Sequence, residues 1–366
     1  MDERTVERIY KRFKPHIFMV VTQIGYTVLY FITEASFNNG MNPHVYITYR
    51  HIVSGLVMFP LAYFLERKVR PKLTVSLFAE IFLLSLLGVG LTLNMYFASL
   101  RYTSPTFVAS MVNTIASLTF MIAVALRLEM LDVRKPRGIA KVLGTLVSLS
   151  GVMTMTLYKG SVIPSLGRPL VRIQGTAATH ENWVKGSILT VASCVAWSLW
   201  YIMQAFTLKR YPAQLSLTAW MSCLGAAQSA AFTVFVEHRR AAWTVGFNID
   251  LWSTIYGGVV CSGLIVFLQL WVTEEKGPVF VTMFNPLTTL QVAVIAYFVL
   301  GEKLNVGSIL GGVTVILGLY LLLWGKEEDQ EAEMKSGEPY LTYNESTGSK
   351  LQALALEGKE GNRGEP

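Results

Sequence analysis

The sequence predicts an all-α polytopic membrane protein of ten transmembrane helices, arranged as two inverted five-helix repeats. Three observations carry that prediction: an oily, charge-poor composition, ten apolar runs of spanning length, and a duplication of the chain at an offset of about 172 residues. Of 366 residues 52% are hydrophobic and 15% charged, with a mean hydropathy of +0.44. Ordinary soluble domains carry about 25% charged residues.

A helix needs about 20 apolar residues to cross a hydrocarbon core roughly 30 Å thick. Such runs lie near residues 16–36, 46–65, 76–98, 104–126, 138–158, 187–208, 215–236, 251–273, 278–300 and 306–325. They are about twice the length of a barrel strand and lack period-two alternation, so helices are required. The first run is of full span length and nine others follow it, so it reads as a retained helix rather than a cleaved signal peptide.

Loop charges orient the chain. Arg4, Arg8, Lys11, Arg12 and Lys14 precede the first run, ERKVRPKLT joins the second to the third, and Arg127, Arg134, Lys135 and Arg137 join the fourth to the fifth. The intervening loops of this half hold only Arg101. By the positive-inside rule the N-terminus is cytosolic, and an even number of spans places the C-terminus there too. The formal charge of +7 is therefore topology; cations spread over short loops do not form a nucleic-acid face. Cys194, Cys223 and Cys261 all fall in apolar runs and read as buried small hydrophobes, not a disulfide framework.

The duplication rests on ordered anchors. GYTVLY at 25–30 lies over AWSLWY at 196–201, FLERK at 64–68 over FVEHR at 235–239, and SPTFVASMVN at 104–113 over GPVFVTMFN at 277–285. RLEML at 127–131 then matches LGEKL at 300–304, and Gly144 with Gly151 matches Gly311 with Gly318. Five helices per copy force the second copy to enter the membrane from the opposite side. Inverted repeats of this kind give two conformations related by exchanging the halves, the physics of alternating access. The expected organisation is a basic cytosolic segment at 1–15, repeats at 16–158 and 187–325, and a non-cytosolic joint at 159–186. A disordered acidic cytosolic tail follows at 326–366.

Within the ninth run, FVTMFNP places an amide and a proline where lipid would penalise both. Pro286 removes a donor and frees the Thr282 carbonyl, which is tolerated where the backbone faces protein or a wet cavity. Asn285 and its repeat mate Asn113 reach similar depths, roughly 12–15 Å, from opposite faces. They are candidates for a substrate cavity at the repeat interface, with Thr289 further along the same helix. The first half reads MVNTIAS without proline, so the helix break is expected to be asymmetric. In the first run Gln23, Thr27, Tyr30 and Glu34 share a helical face. The repeat sets Cys194, Ser198 and Tyr201 over three of these, beside Trp197, Trp200 and Gln204. Aromatic surfaces with few hydrogen-bonding groups suit a small amphipathic solute; the alternative is interhelical hydrogen bonding.

Glu34 and Arg50 flank a short loop and are candidates for an ion pair. Glu80 and Lys141 lie near helix ends and read as anchors. Gly307 and Gly311 form a GxxxG, read as packing within the chain, with a homo-oligomer as the alternative. There is no P-loop, HExxH or GxSxG, and the five histidines lack metal-ligand spacing, so an enzyme, a metal and a cofactor are not expected.

Taken in order, GMNPHVYITYRH, FLERKVRPKLT, LRYTSPTFVASMVN, GTLVSLSGVMTMTLYKG, EEKGPVFVTMFNPL and LGEKLNVGSILGG resemble the plant nodulin-21-like, walls-are-thin-related carriers. These have two EamA-type repeats and belong to the drug/metabolite transporter superfamily. The resemblance covers about residues 15–325. It implies ten helices and export or bidirectional movement of amino acids, with auxin a cargo of some members. The plasma membrane is the expected residence and the vacuolar membrane the alternative. Many relatives have a lysine where this chain has Glu34, and a proline near Ile115 and Ala116. The only acids within spans, Glu34 and Glu80, are near ends, which favours facilitated transport over proton coupling. Competing readings are a nucleobase-like metabolite carrier and a receptor or scaffold, which has no need of two opposed copies. The single sequon, Asn344-Glu345-Ser346, is expected to be cytosolic and unglycosylated.

Overall fold

The computed structural model describes residues 3–100, 102–103, 108, 111–129, 131, 133–158, 161–163, 183–300 and 304–336. Among these the helices are α1 (Glu3–Asn38), α2 (Pro43–Leu65), α3 (Val75–Ser99), α4 (Met111–Ala125) and α5 (Pro136–Leu157) in the first half. The second half holds α6 (Trp183–Arg210), α7 (Gln214–Val236), α8 (Ile249–Lys276), α9 (Pro278–Phe298) and α10 (Val306–Ser336). Eight of them are long and apolar enough to span a membrane; α4 is apolar but shorter, and α5, which carries Arg137 and Lys141, is not among the eight. The last helix continues past Lys326, where the acidic tail was expected to begin. Most of the joint at 159–186, the tail beyond Ser336 and the sequon lie outside the described residues.

Proline marks three helix starts, because its missing N–H falls among donors that are unpaired there anyway. Pro43 follows Asn42, whose side chain accepts from His44 N at 2.9 Å; Pro136 opens α5, and Pro278 opens α9 after Gly277 at φ 84°. The outward faces carry side chains such as Leu56, Phe64, Phe235, Trp252 and Tyr320, which suit lipid rather than water.

Inversion is visible in contacts that map onto themselves when the halves are exchanged. Glu66, at the end of α2, accepts from Leu215 N (2.9 Å) and Ser216 N (2.7 Å) at the start of α7. Its repeat mate Glu237, at the end of α7, accepts from Asn42 Nδ2 (2.8 Å) at the start of α2. Helices α5 and α10 run antiparallel at backbone contact: a Cβ on Gly144 would meet Gly318 O at 2.7 Å, and one on Gly151 would meet Gly311 O at 2.8 Å. Exchanging the halves turns the first contact into the second, as an isologous two-fold interface requires. Gly307 and Gly311 are thus occupied within the chain, Gly307 against the Tyr158 carbonyl. At that end a two-residue ribbon pairs β1 (Val162–Ile163) antiparallel with β2 (Leu304–Asn305).

Two departures from regular helix also match across the repeat. α3 carries a π-helical stretch at Leu86–Leu93 and α8 one at Gly257–Ile265. Such segments are rare and concentrate at functional sites. The main buried cluster joins Met19, Ile115, Phe120, Tyr201, Phe280, Phe284 and Leu322.

Candidate functional site

The site is built on two broken helices. α9 runs from Pro278 to Met283, turns at Phe284 and restarts at Asn285. Pro286 explains this break, since it cannot supply the N–H that the Thr282 carbonyl would accept. α4 breaks as well, at Thr114, so the expected asymmetry does not hold. The reason is a hydroxyl acting in place of a proline. Thr114 Oγ1 donates to the Met111 carbonyl at 2.6 Å, competing with the backbone ladder. Carbonyls at this break also accept from α6: Met111 O from Cys194 Sγ at 3.3 Å and Ile115 O from Ser198 Oγ at 3.4 Å.

Polar side chains converge where α1, α4, α8 and α9 meet. Gln23 Oε1 accepts from Thr288 Oγ1 at 2.5 Å, Thr27 Oγ1 donates to Gln291 Oε1 at 2.8 Å, and Thr289 Oγ1 donates to Asn113 Oδ1 at 3.0 Å. Beside them Tyr26 Oη donates to Gln269 Oε1 at 3.4 Å, and the buried Tyr201 hydroxyl faces Asn285, Trp197 and Gln269. Two buried donors, Gln23 Nε2 and Gln269 Nε2, have no hydrogen-bond partner. In hydrocarbon such orphans are costly, and they are the groups a polar solute would satisfy.

Gln23, Thr27, Asn113, Trp197, Tyr201, Asn285 and Thr289 therefore come together. Two other sequence candidates differ from these in exposure or partners. Tyr30 is 43% exposed and stacks edge-on with Phe31, while Gln204 is fully buried with both amide atoms unpartnered. Arg50, expected beside Glu34, is instead drawn toward α8: its Nε donates to Ser262 Oγ at 2.8 Å and its guanidinium lies 5.8 Å from the Tyr46 ring centre. No Glu34–Arg50 pair is among the ion pairs of the described residues. Sequence reasoning missed Tyr26, Gln269, Thr288 and Gln291. Gln269 had a readable signal, a lone amide within FLQLW, an otherwise apolar stretch of a span.

The crossing is sealed on the N-terminal side. His16 packs edge-on against Phe280 with centroids 5.0 Å apart, and Phe280 against Phe284 at 5.3 Å. Beyond them α4 ends in a Schellman turn, with Leu128 N to Ala123 O at 2.8 Å and Arg127 N to Val124 O at 3.0 Å. Arg127 occupies the left-handed position at φ 56°. This turn delivers Glu129 between Lys141 Nζ (2.9 Å) and Lys326 Nζ (2.6 Å), linking both halves. Lys141, read from sequence as an interfacial anchor, is 1% exposed and part of this buried triad. Burial would raise the Glu129 pKa, but the two ammonium groups outweigh it and hold the carboxyl below its ordinary 4.5.

Two inverted halves, broken helices crossing between them and polar groups gathered at the crossing define a membrane carrier. The model of the EamA-like transporter family matches residues 14–157 and 184–324, one match per half, and the chain belongs to that family. One WAT1-related protein of Arabidopsis thaliana is 40% identical over 324 residues, covering 87% of each chain. A second from the same plant is 37% identical over 356 residues, covering 93% of this chain and 89% of that one. A protein of known crystal structure superposes with a TM-score of 0.62 at 17% identity, over 85% of this chain and 98% of its own, a likeness of fold alone. The chain is thus an integral, multi-pass membrane transporter of the drug/metabolite superfamily, acting on a small molecule within a lipid bilayer, rather than an enzyme.

Proposed function

We propose that this transporter moves amino acids across a membrane by alternating access, as facilitated export or bidirectional exchange. The supporting observation is the polar set at the crossing of α4 and α9, in which Gln23 and Gln269 hold unpartnered amide donors beside Trp197 and Tyr201. Amide donors suit a carboxylate or carbonyl, and the aromatic faces suit an apolar side chain. The same aromatic faces favour an indole acid such as auxin as the second reading.

In this reading both termini are cytosolic, the plasma membrane is the residence, the vacuolar membrane is the alternative, and residues 16–158 and 187–325 act as the moving halves. The test is radiotracer counterflow in proteoliposomes with the twenty amino acids and indole-3-acetate. Saturable counterflow of amino acids without an imposed pH gradient is expected. Strict dependence on such a gradient would overturn facilitation, and counterflow of indole-3-acetate alone would replace the amino-acid reading with the second one.

A further inference from the structure

Arg50 is a cation inside a span, and among the described residues no acid forms an ion pair with it. It sits on α2, seven residues past Pro43 and so roughly 10 Å along the helix, and it is only 9% exposed. Its hydrogen bond goes to a neutral hydroxyl, Ser262, and none of the ion pairs among the described residues includes it. Ionisable residues within spans are ordinarily paired or functional, and a guanidinium whose Nε is held by Ser262 still presents its η edge, a fork matched to a carboxylate.

The surroundings hold further buried polar groups. The Tyr46 ring centre lies 5.8 Å from the Arg50 guanidinium, and its buried hydroxyl makes no well-formed hydrogen bond among the described residues; Gly257 lacks the Cβ that would strike that hydroxyl. Ser262, and Cys261 next to it, project from the π-helical stretch of α8. Tyr26 lies within electrostatic reach of both Arg50 and Tyr201, so it stands between this cluster and the polar set at the crossing. The repeat places Met221 opposite Arg50, so the shared architecture does not itself demand a charge at this position.

We propose that Arg50 is the receptor for the carboxylate of the transported solute, with Ser262 aiming the guanidinium and the Tyr46 hydroxyl as a further donor. The inference rests on the carrier reading of the central site for the origin of the ligand. It sets the substrate class: a small solute must bear a carboxylate, and the matching amine without one is excluded.

The test is equilibrium binding to the purified full chain in lipid nanodiscs. The probes are tritiated forms of the twenty amino acids and indole-3-acetate, with phenethylamine and tryptamine as competitors. At least one acid should bind, and neither amine should compete at 100 times its concentration. Arg50→Gln should weaken acid binding on the order of 100-fold, and Arg50→Lys about tenfold, because a point charge replaces the fork. Should Arg50→Gln not fold, Ser262→Ala keeps the charge but loosens its aim, and a roughly threefold loss is expected. Amines competing as well as acids in the unsubstituted chain, or a folded Arg50→Gln with unchanged affinity, would overturn the assignment. So would failure of every acid to bind. If indole-3-acetate binds through Arg50 and no amino acid does, the amino-acid reading falls while the role of Arg50 stands.

Discussion

The two segments of α9 differ sharply on either side of its break. Every residue from Pro278 to Met283 is buried, whereas from Asn285 to Ile295 only Pro286 is. On α4 the segment facing the same N-terminal side buries Ile115, Thr119, Phe120 and Ala123. Repeat symmetry makes the two ends of the crossing equivalent in architecture, so unequal burial is a property of the conformation rather than of the fold. On the alternating-access reading, the structure is a state sealed toward the N-terminal face, with Thr288, Thr289 and Gln291 half-exposed on the other side.

The largest expected effect comes from removing the buried ion triad. Glu129→Ala would leave Lys141 and Lys326 buried side by side without their carboxylate, a loss of about 3–5 kcal/mol when one partner of a buried pair is deleted. Thermal melting in detergent should report it, and cysteines placed along Pro278–Met283 should become as accessible to a polar thiol reagent as those beyond Asn285. Unchanged melting and unchanged labelling would show that the seal is apolar alone. Titration gives an independent handle. Because the folded pKa of Glu129 lies below 4.5, its stabilisation is fully present above 4.5 and is lost as pH falls through the lower folded value. The Tm of the parent chain should therefore fall on acidification in a step that Glu129→Gln lacks.

A smaller effect is expected at the α5–α10 contact, which joins the halves without belonging to either end of the crossing. A Cβ at Gly318 would lie 2.4 Å from Ser148 N and 2.8 Å from Gly144 O, both backbone atoms unable to swing aside. Gly318→Ala should cost about 1–3 kcal/mol through forced separation of the helices. If this contact is a common pivot, both segments of α9 should gain accessibility together, in contrast to Glu129→Ala, which should expose only the first.

Much of the fold was legible because lipid permits so few solutions. Span length, loop charge and an odd number of helices per copy lead to inversion by arithmetic, and the paired glycines at 144, 151, 311 and 318 meet across the two-fold. The site was legible only in part. Helical period tells which residues share a face but not how that face is rotated against its neighbours, so Gln23 and Thr27 meet α9 while Tyr30 is exposed. In α8 the π-helical stretch shifts the register of everything after it, which hides the direction of Gln269 from a 3.6-residue reading. Lys141 was misread because its partner, Glu129, comes from a turn whose left-handed residue is an arginine rather than the usual glycine.

The smallest expected effect sits at the centre of the crossing, where Thr289 Oγ1 donates to Asn113 Oδ1 and joins the two broken helices directly. Interhelical hydrogen bonds within membranes are worth about 0.6 kcal/mol on average, because the separated helices find other partners. Thr289→Val and Asn113→Ala should therefore each shift stability little, and a double-mutant cycle should return a coupling near that value. Transport should respond far more than melting does if the pair lines the path, since either change removes a polar group from the solute's route. Equal, small effects on both would mean that the pair only holds helices together. In that case the sealed and open ends of the crossing would meet at a structural joint, and the polar contacts to cargo would have to come from Gln23, Gln269 and the Arg50 cluster instead.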